Sequence, residues 1–74
     1  MASVEIRTEI AGTVWKVTAQ AGERVEEDEP IVILESMKME IPVAATDPGT
    51  VKELLVGEGD AVDEDQVVAV LEVD

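Results

Sequence analysis

Residues 11–35 read AGTVWKVTAQAGERVEEDEPIVILE, and residues 48–72 read PGTVKELLVGEGDAVDEDQVVAVLE. Laid over one another without gaps at an offset of 37 residues, the two stretches agree at nine of 25 positions. Gly12-Thr13-Val14 returns as Gly49-Thr50-Val51, Gly22 as Gly59, Val25 as Val62, Glu27-Asp28 as Glu64-Asp65, and Leu34-Glu35 as Leu71-Glu72. Hydrophobic class persists where identity does not, as in Val17 with Leu54, Ile31 with Val68 and Ile33 with Val70. An offset of half the chain marks an internal duplication. Two units are too few to stack as a solenoid, so the halves are expected to interlock around one core.

The residue types say what interlocks. The chain holds 13 Val, 5 Ile and 5 Thr against 4 Leu, 8 Ala and 3 Met, a β-branched excess that favours strands. Strands are predicted over Val4 to Thr8, Gly12 to Ala19, Ile31 to Glu35, Ile41 to Ala45, Gly49 to Val56 and Val67 to Val73, with turn residues between them. No segment reads as a helix. The expected fold is an all-β flattened barrel of about eight short strands, its halves related by a quasi-two-fold axis that leaves few open edges.

Length and charge bound the possibilities further. A chain of 74 residues with no cysteine or histidine is expected to be a single domain over 1–74, held by apolar burial without disulfides or a histidine–cysteine metal site. The 18 carboxylates against 5 basic side chains argue against nucleic acid as a partner, because phosphate affinity rests on Lys and Arg displacing counterions. At 46% hydrophobic the chain is too apolar for a disordered acidic tail. The first residues lack a basic and apolar leader, and no run is long enough to span a membrane. A cytoplasmic protein, monomeric in isolation, is the expectation.

One segment has no twin. Shifting Met37-Lys38 by 37 positions lands on residues 74 and 1, so its counterpart is where the chain starts and stops. The termini are therefore expected at one end of the barrel and residues 37 and 38 at the other. Centring a two-residue hairpin on Met37-Lys38 sets Leu34 opposite Ile41 and Val32 opposite Val43 on one face, with Glu35 opposite Glu40 on the other. A three-residue loop would mix the faces. Two-residue hairpin turns usually have left-handed backbone at both central positions and favour Asn-Gly or Asp-Gly, so Met-Lys is a poor local choice. A broken local rule at an exposed tip, with Met37 and Met39 as apolar residues beside it, points to function. The plain alternative is a solvated lysine between methionines that cover a barrel end.

Glu35-Ser36-Met37-Lys38-Met39-Glu40-Ile41-Pro42 resembles the attachment motif of the biotinyl domain family, found in biotin carboxyl carrier proteins and small biotinyl/lipoyl attachment proteins. The resemblance runs through Ala11 to Val14, Gly22 to Val25, the hairpin, Pro48 to Val51 and Gly59 to Val62. It implies a barrel-sandwich of two four-stranded antiparallel sheets. It also implies that Lys38 becomes amide-linked to biotin by a biotin protein ligase. Met37 and Met39 would then be flanking recognition residues, and Glu35, Ser36 and Glu40 would contribute to partner recognition. The implied function is a non-catalytic swinging-arm carrier that moves a carboxyl group between a biotin carboxylase and a carboxyltransferase. Lysine and valeryl carbons together would reach roughly 12 to 15 Å.

Lys16 and Lys52 are disfavoured as attachment sites because both fall inside predicted strands. The methionine pair favours biotin over lipoate, while a lipoyl carrier and an unmodified β-barrel adaptor stay as alternatives. Ser36 stands where many carriers have alanine, and the short loop between Val17 and Gly22 lacks the protruding segment of certain bacterial acetyl-CoA carboxylase carriers. The acidic clusters at Glu26 to Glu29 and Asp60 to Asp65 do not follow a spaced calcium loop and recur at equivalent turns, so they read as solvated turns. Trp15, without an aromatic companion, reads as packing at a barrel face.

Overall fold

A computed structural model describes residues Ala2 to Val73. They form β1 (Ala2–Arg7), β2 (Gly12–Val17), β3 (Arg24–Val25), β4 (Pro30–Ser36), β5 (Met39–Ala44), β6 (Gly49–Leu54), β7 (Ala61–Val62) and β8 (Val67–Val73). These eight strands make two four-stranded sheets, ordered β1-β8-β6-β3 and β5-β4-β2-β7, with every pairing antiparallel. Advancing by half the chain turns β1 into β5, β2 into β6, β3 into β7 and β4 into β8, so the duplication maps each sheet onto the other. Strands predicted to reach Ala19 and Val56 stop at Val17 and Leu54. The two-residue strands β3 and β7 were too short to leave an alternating pattern in the sequence.

The interior is assembled in matched pairs. Ile6 with Val43, Val14 with Val51, Ala19 with Val56, Val25 with Val62, Ile31 with Val68, Val32 with Ala69 and Leu34 with Leu71 are all buried, each half supplying one member. Burying a Val, Leu or Ile side chain contributes about 1.5–3 kcal/mol, and the two halves share that contribution almost equally. Ala45 completes the set, and its equivalent is Thr8, the one buried polar residue among those described. The Thr8 hydroxyl donates to the Ile10 carbonyl at 2.8 Å and accepts from the Ile10 amide at 3.2 Å. Its burial therefore leaves no polar atom unpaired.

Turns repeat as faithfully as the core. Gly22 and Gly59 have φ of 94° and 92°, and Asp28 and Asp65 have φ of 70° and 67°. In both halves the turn after the short strand is tied by a side chain, Glu29 Oε1 accepting from the Glu26 amide at 3.1 Å and Gln66 Oε1 from the Asp63 amide at 2.9 Å. The acidic clusters thus sit in exposed turns whose geometry they help to hold. Irregularity is duplicated too. The ladder register slips between Val14 and Lys16 in β2 and between Val51 and Glu53 in β6, leaving Trp15 and Lys52 as the extra residues of two equivalent bulges. At the sheet edge, Pro42 in β5 removes an amide donor and so discourages pairing with another chain.

Candidate functional site

The β4–β5 hairpin has the register read from the sequence. Val32 pairs with Val43, Leu34 with Ile41, Glu35 with Glu40 and Ser36 with Met39, leaving Met37-Lys38 as a two-residue turn. Met37 has φ of 52° and Lys38 has φ of 64°. Both lie in the left-handed region that L-residues with side chains resist, at about 1–2 kcal/mol each. The buried Leu34 and Val43 beneath the turn, together with the six-residue ladder, hold it in place.

This geometry puts the side chains at the tip in solvent, Ser36 only in part. Met37 is 90% exposed and Met39 is 59% exposed, while Lys38, Glu35 and Glu40 are exposed and Ser36 is half-buried. Among the described residues Lys38 enters no ion pair. Glu35 and Glu40 face one another across the ladder, an arrangement that like charges disfavour. Stability therefore does not account for it. Below the tip, Gly12 lets β2 run close under β4. A Cβ there would come within 2.8 Å of the Glu35 carbonyl oxygen and 3.4 Å of Ser36 Cβ.

The other lysines differ in backbone, not in accessibility. Lys16 lies in β2 and Lys52 in β6, as the sequence indicated, but both are exposed: alternation turns Lys52 outward next to buried Val51, and the register slip after Val14 turns Lys16 outward. Exposure alone therefore does not distinguish the three; Lys38 differs from the other two in lying in a hairpin turn. The counterparts of Met37 and Lys38, Asp74 and Met1, lie outside the described residues. The pair below them is described: Ala2 opposite Val73 in β1 and β8 is the equivalent of Met39 opposite Ser36. Trp15 is 49% exposed on its bulge, so it covers a sheet face without being enclosed by it. Its alignment with Lys52 was the signal in the sequence that this position is no part of the shared core.

A family model described as "Biotin-requiring enzyme", of the biotin/lipoyl type, matches residues 1–71. The chain belongs to that family. Members of this biotinyl domain family are carrier components and not catalysts, and the all-β double sheet found here is their fold. The chain is similar to the biotin/lipoyl attachment protein of Bacillus subtilis strain 168, with 47% identity over 49 residues, covering 66% of this chain and 67% of that one. It is also similar to the biotinylated protein TB7.3 of Mycobacterium tuberculosis strain H37Rv, with 44% identity over 41 residues, 55% of this chain and 58% of the relative. Among solved structures, the urea carboxylase of Kluyveromyces lactis superposes with a TM-score of 0.91 at 35% identity, covering 97% of this chain and 6% of the carboxylase. The match thus spans under two thirds of the mycobacterial relative and a small part of the carboxylase.

Proposed function

We propose that residues 1–74 act as one carrier module, that Lys38 is the residue a biotin protein ligase links to biotin, and that the module serves a biotin carboxylase and a carboxyltransferase. The observation that carries this reading is the left-handed Met37-Lys38 turn, which projects a free amine from a rigid hairpin. In the ligation step the unprotonated Lys38 Nζ attacks the carbonyl carbon of an activated biotinyl group. The leaving group departs with its electron pair, and the nitrogen loses one proton to become an amide. The side chain thereby loses its positive charge. Biotin, once bound, supplies the ureido nitrogen that accepts and releases a carboxyl group.

Everything else is placement. The hairpin fixes the origin of the arm, and Met37 and Met39 offer unbranched thioether side chains that adapt to apolar surfaces on more than one partner. Glu35, Ser36 and Glu40 line the approach. Tethering raises the effective concentration of the carried group at two active sites, provided the arm spans the distance between them.

The test is intact mass and streptavidin capture after incubation with a biotin protein ligase, biotin and ATP. One biotinyl increment is expected on the unaltered chain and on Lys16→Arg, and none on Lys38→Arg. Capture retained in Lys38→Arg would overturn the assignment. A lipoyl increment in protein from its own host would favour the lipoyl carrier. A chain left unmodified by the biotin protein ligase would favour the adaptor.

A further inference from the structure

The duplication supplies an internal control for the surface, because any residue the scaffold requires in one sheet has an equivalent in the other. Across the outer face of the sheet that carries Lys38, Pro42 pairs with Ile33 and Ile33 with Lys16, with Trp15 on the adjoining bulge. Across the outer face of the other sheet, Glu5 pairs with Val70 and Val70 with Glu53, with Lys52 on the adjoining bulge. Position by position, Pro42 stands for Glu5, Ile33 for Val70, Lys16 for Glu53 and Trp15 for Lys52. The same backbone accommodates charged residues at three of the four places, so the fold does not require a tryptophan or a proline there. Trp15 is 49% exposed and Pro42 is exposed. No described element covers them.

The apolar row adjoins the hairpin. Moving toward the tip, the next outward pair is Glu35 with Glu40, and then comes the turn itself. Ile33 and Lys38 are five residues apart, about 17 Å along an extended strand. A standard interface of about 800 Å² per partner is some 30 Å across, so one footprint includes the apolar row, the acidic pair and the turn. A second copy of the chain is a poor occupant, because each copy has a formal charge of -13 and the two would repel.

Resting on the carrier reading above, we infer that Trp15, Ile33 and Pro42 form a docking patch for the ligase that acylates Lys38. The contacting surface on that enzyme is an apolar pocket for the indole, bordered by basic side chains that meet Glu35 and Glu40. Aromatic anchors in such pockets carry a disproportionate share of binding energy. The patch holds the module while the turn delivers the amine.

The experiment measures initial rates of biotinylation by a biotin protein ligase against concentration of the apo module. Trp15→Lys and Pro42→Glu each install the residue the twin sheet already carries, so the fold is kept. Circular dichroism and the melting midpoint check this. Expected is a rise in KM of roughly tenfold for Trp15→Lys and several-fold for Pro42→Glu, with kcat unchanged, as for a lost hot spot remote from the chemistry. Lys52→Ala in the twin sheet is expected to leave both constants alone. Unchanged KM in Trp15→Lys and Pro42→Glu, or an equal rise in Lys52→Ala, overturns the patch while leaving the carrier reading intact. So does sedimentation showing a dimer that Trp15→Lys dissociates. Failure of the unaltered chain to be acylated at all overturns the carrier reading, and the patch with it.

Discussion

The turn at Met37-Lys38 makes a quantitative forecast about stability. Lys38 has φ of 64° and Met37 has φ of 52°, and a non-glycine residue held there costs about 1–2 kcal/mol. Replacing Lys38 with glycine removes that strain but loosens the unfolded chain, which takes back about 0.4–1 kcal/mol. The net gain for Lys38→Gly is therefore about 0.5–1 kcal/mol. The double substitution Met37→Asn with Lys38→Gly installs the preferred turn and is expected to gain about 1–2 kcal/mol. For a domain of this size that raises the melting temperature by about 4–15 °C. Lys38→Ala is the matched control, since it removes the same charge yet keeps the strained angle. Thermal and urea unfolding followed by circular dichroism would measure all three. The reasoning fails if Lys38→Gly and the double variant melt no higher than Lys38→Ala. Success would mean that the module carries a turn less stable than its ladder permits, in exchange for a lysine at the apex.

Other consequences are checked more briefly. Leu71 is fully buried at 0% exposure, so Leu71→Ala should lose about 2–5 kcal/mol in urea denaturation, enough to unfold a marginal domain of this size. Gly12→Ala would place a Cβ 2.8 Å from the Glu35 carbonyl oxygen, and Gly49→Ala one still closer to that of Glu72; each should lose about 1–3 kcal/mol, with Gly49→Ala the worse. A formal charge of -13 makes the folded state self-repelling, so moderate sodium chloride should raise the melting midpoint by screening. A midpoint that falls with salt would contradict this.

The features legible in the sequence were those that the duplication wrote twice or that alternation forces. Nine identities in 25 pointed to the two-fold arrangement, and the pairing of Leu34 with Ile41 followed because a one-residue slip would have set Glu35 against Ile41 and mixed the core and solvent faces. The left-handed turn followed from the same register. The bulges at Trp15 and Lys52 were not legible, because a register slip depends on the partner strand and leaves no mark in local composition. Lys16 and Lys52 were correctly placed in strands, yet only the bulge in β2 turns Lys16 to solvent, where strict alternation from Val14 would face it inward. The strands Arg24–Val25 and Ala61–Val62 hide for a related reason, as each is held by backbone pairing and one buried valine. At the candidate site, the exposed two-residue turn at Met37-Lys38 was legible because it breaks a local rule. The adjoining surface around Trp15 needed the strand order before its residues could be seen as neighbours.

The ladder pair Ala2 with Val73 has the place in one sheet that Met39 with Ser36 has in the other. The molecule is therefore suited to circular permutation. Joining the two ends through a Met-Lys dipeptide and opening the chain within the original hairpin would exchange loop for terminus without altering a single core pairing. Joining them without opening it would give a closed ring with a hairpin lysine at each pole, which under the proposed attachment role offers two tethering points on one small scaffold.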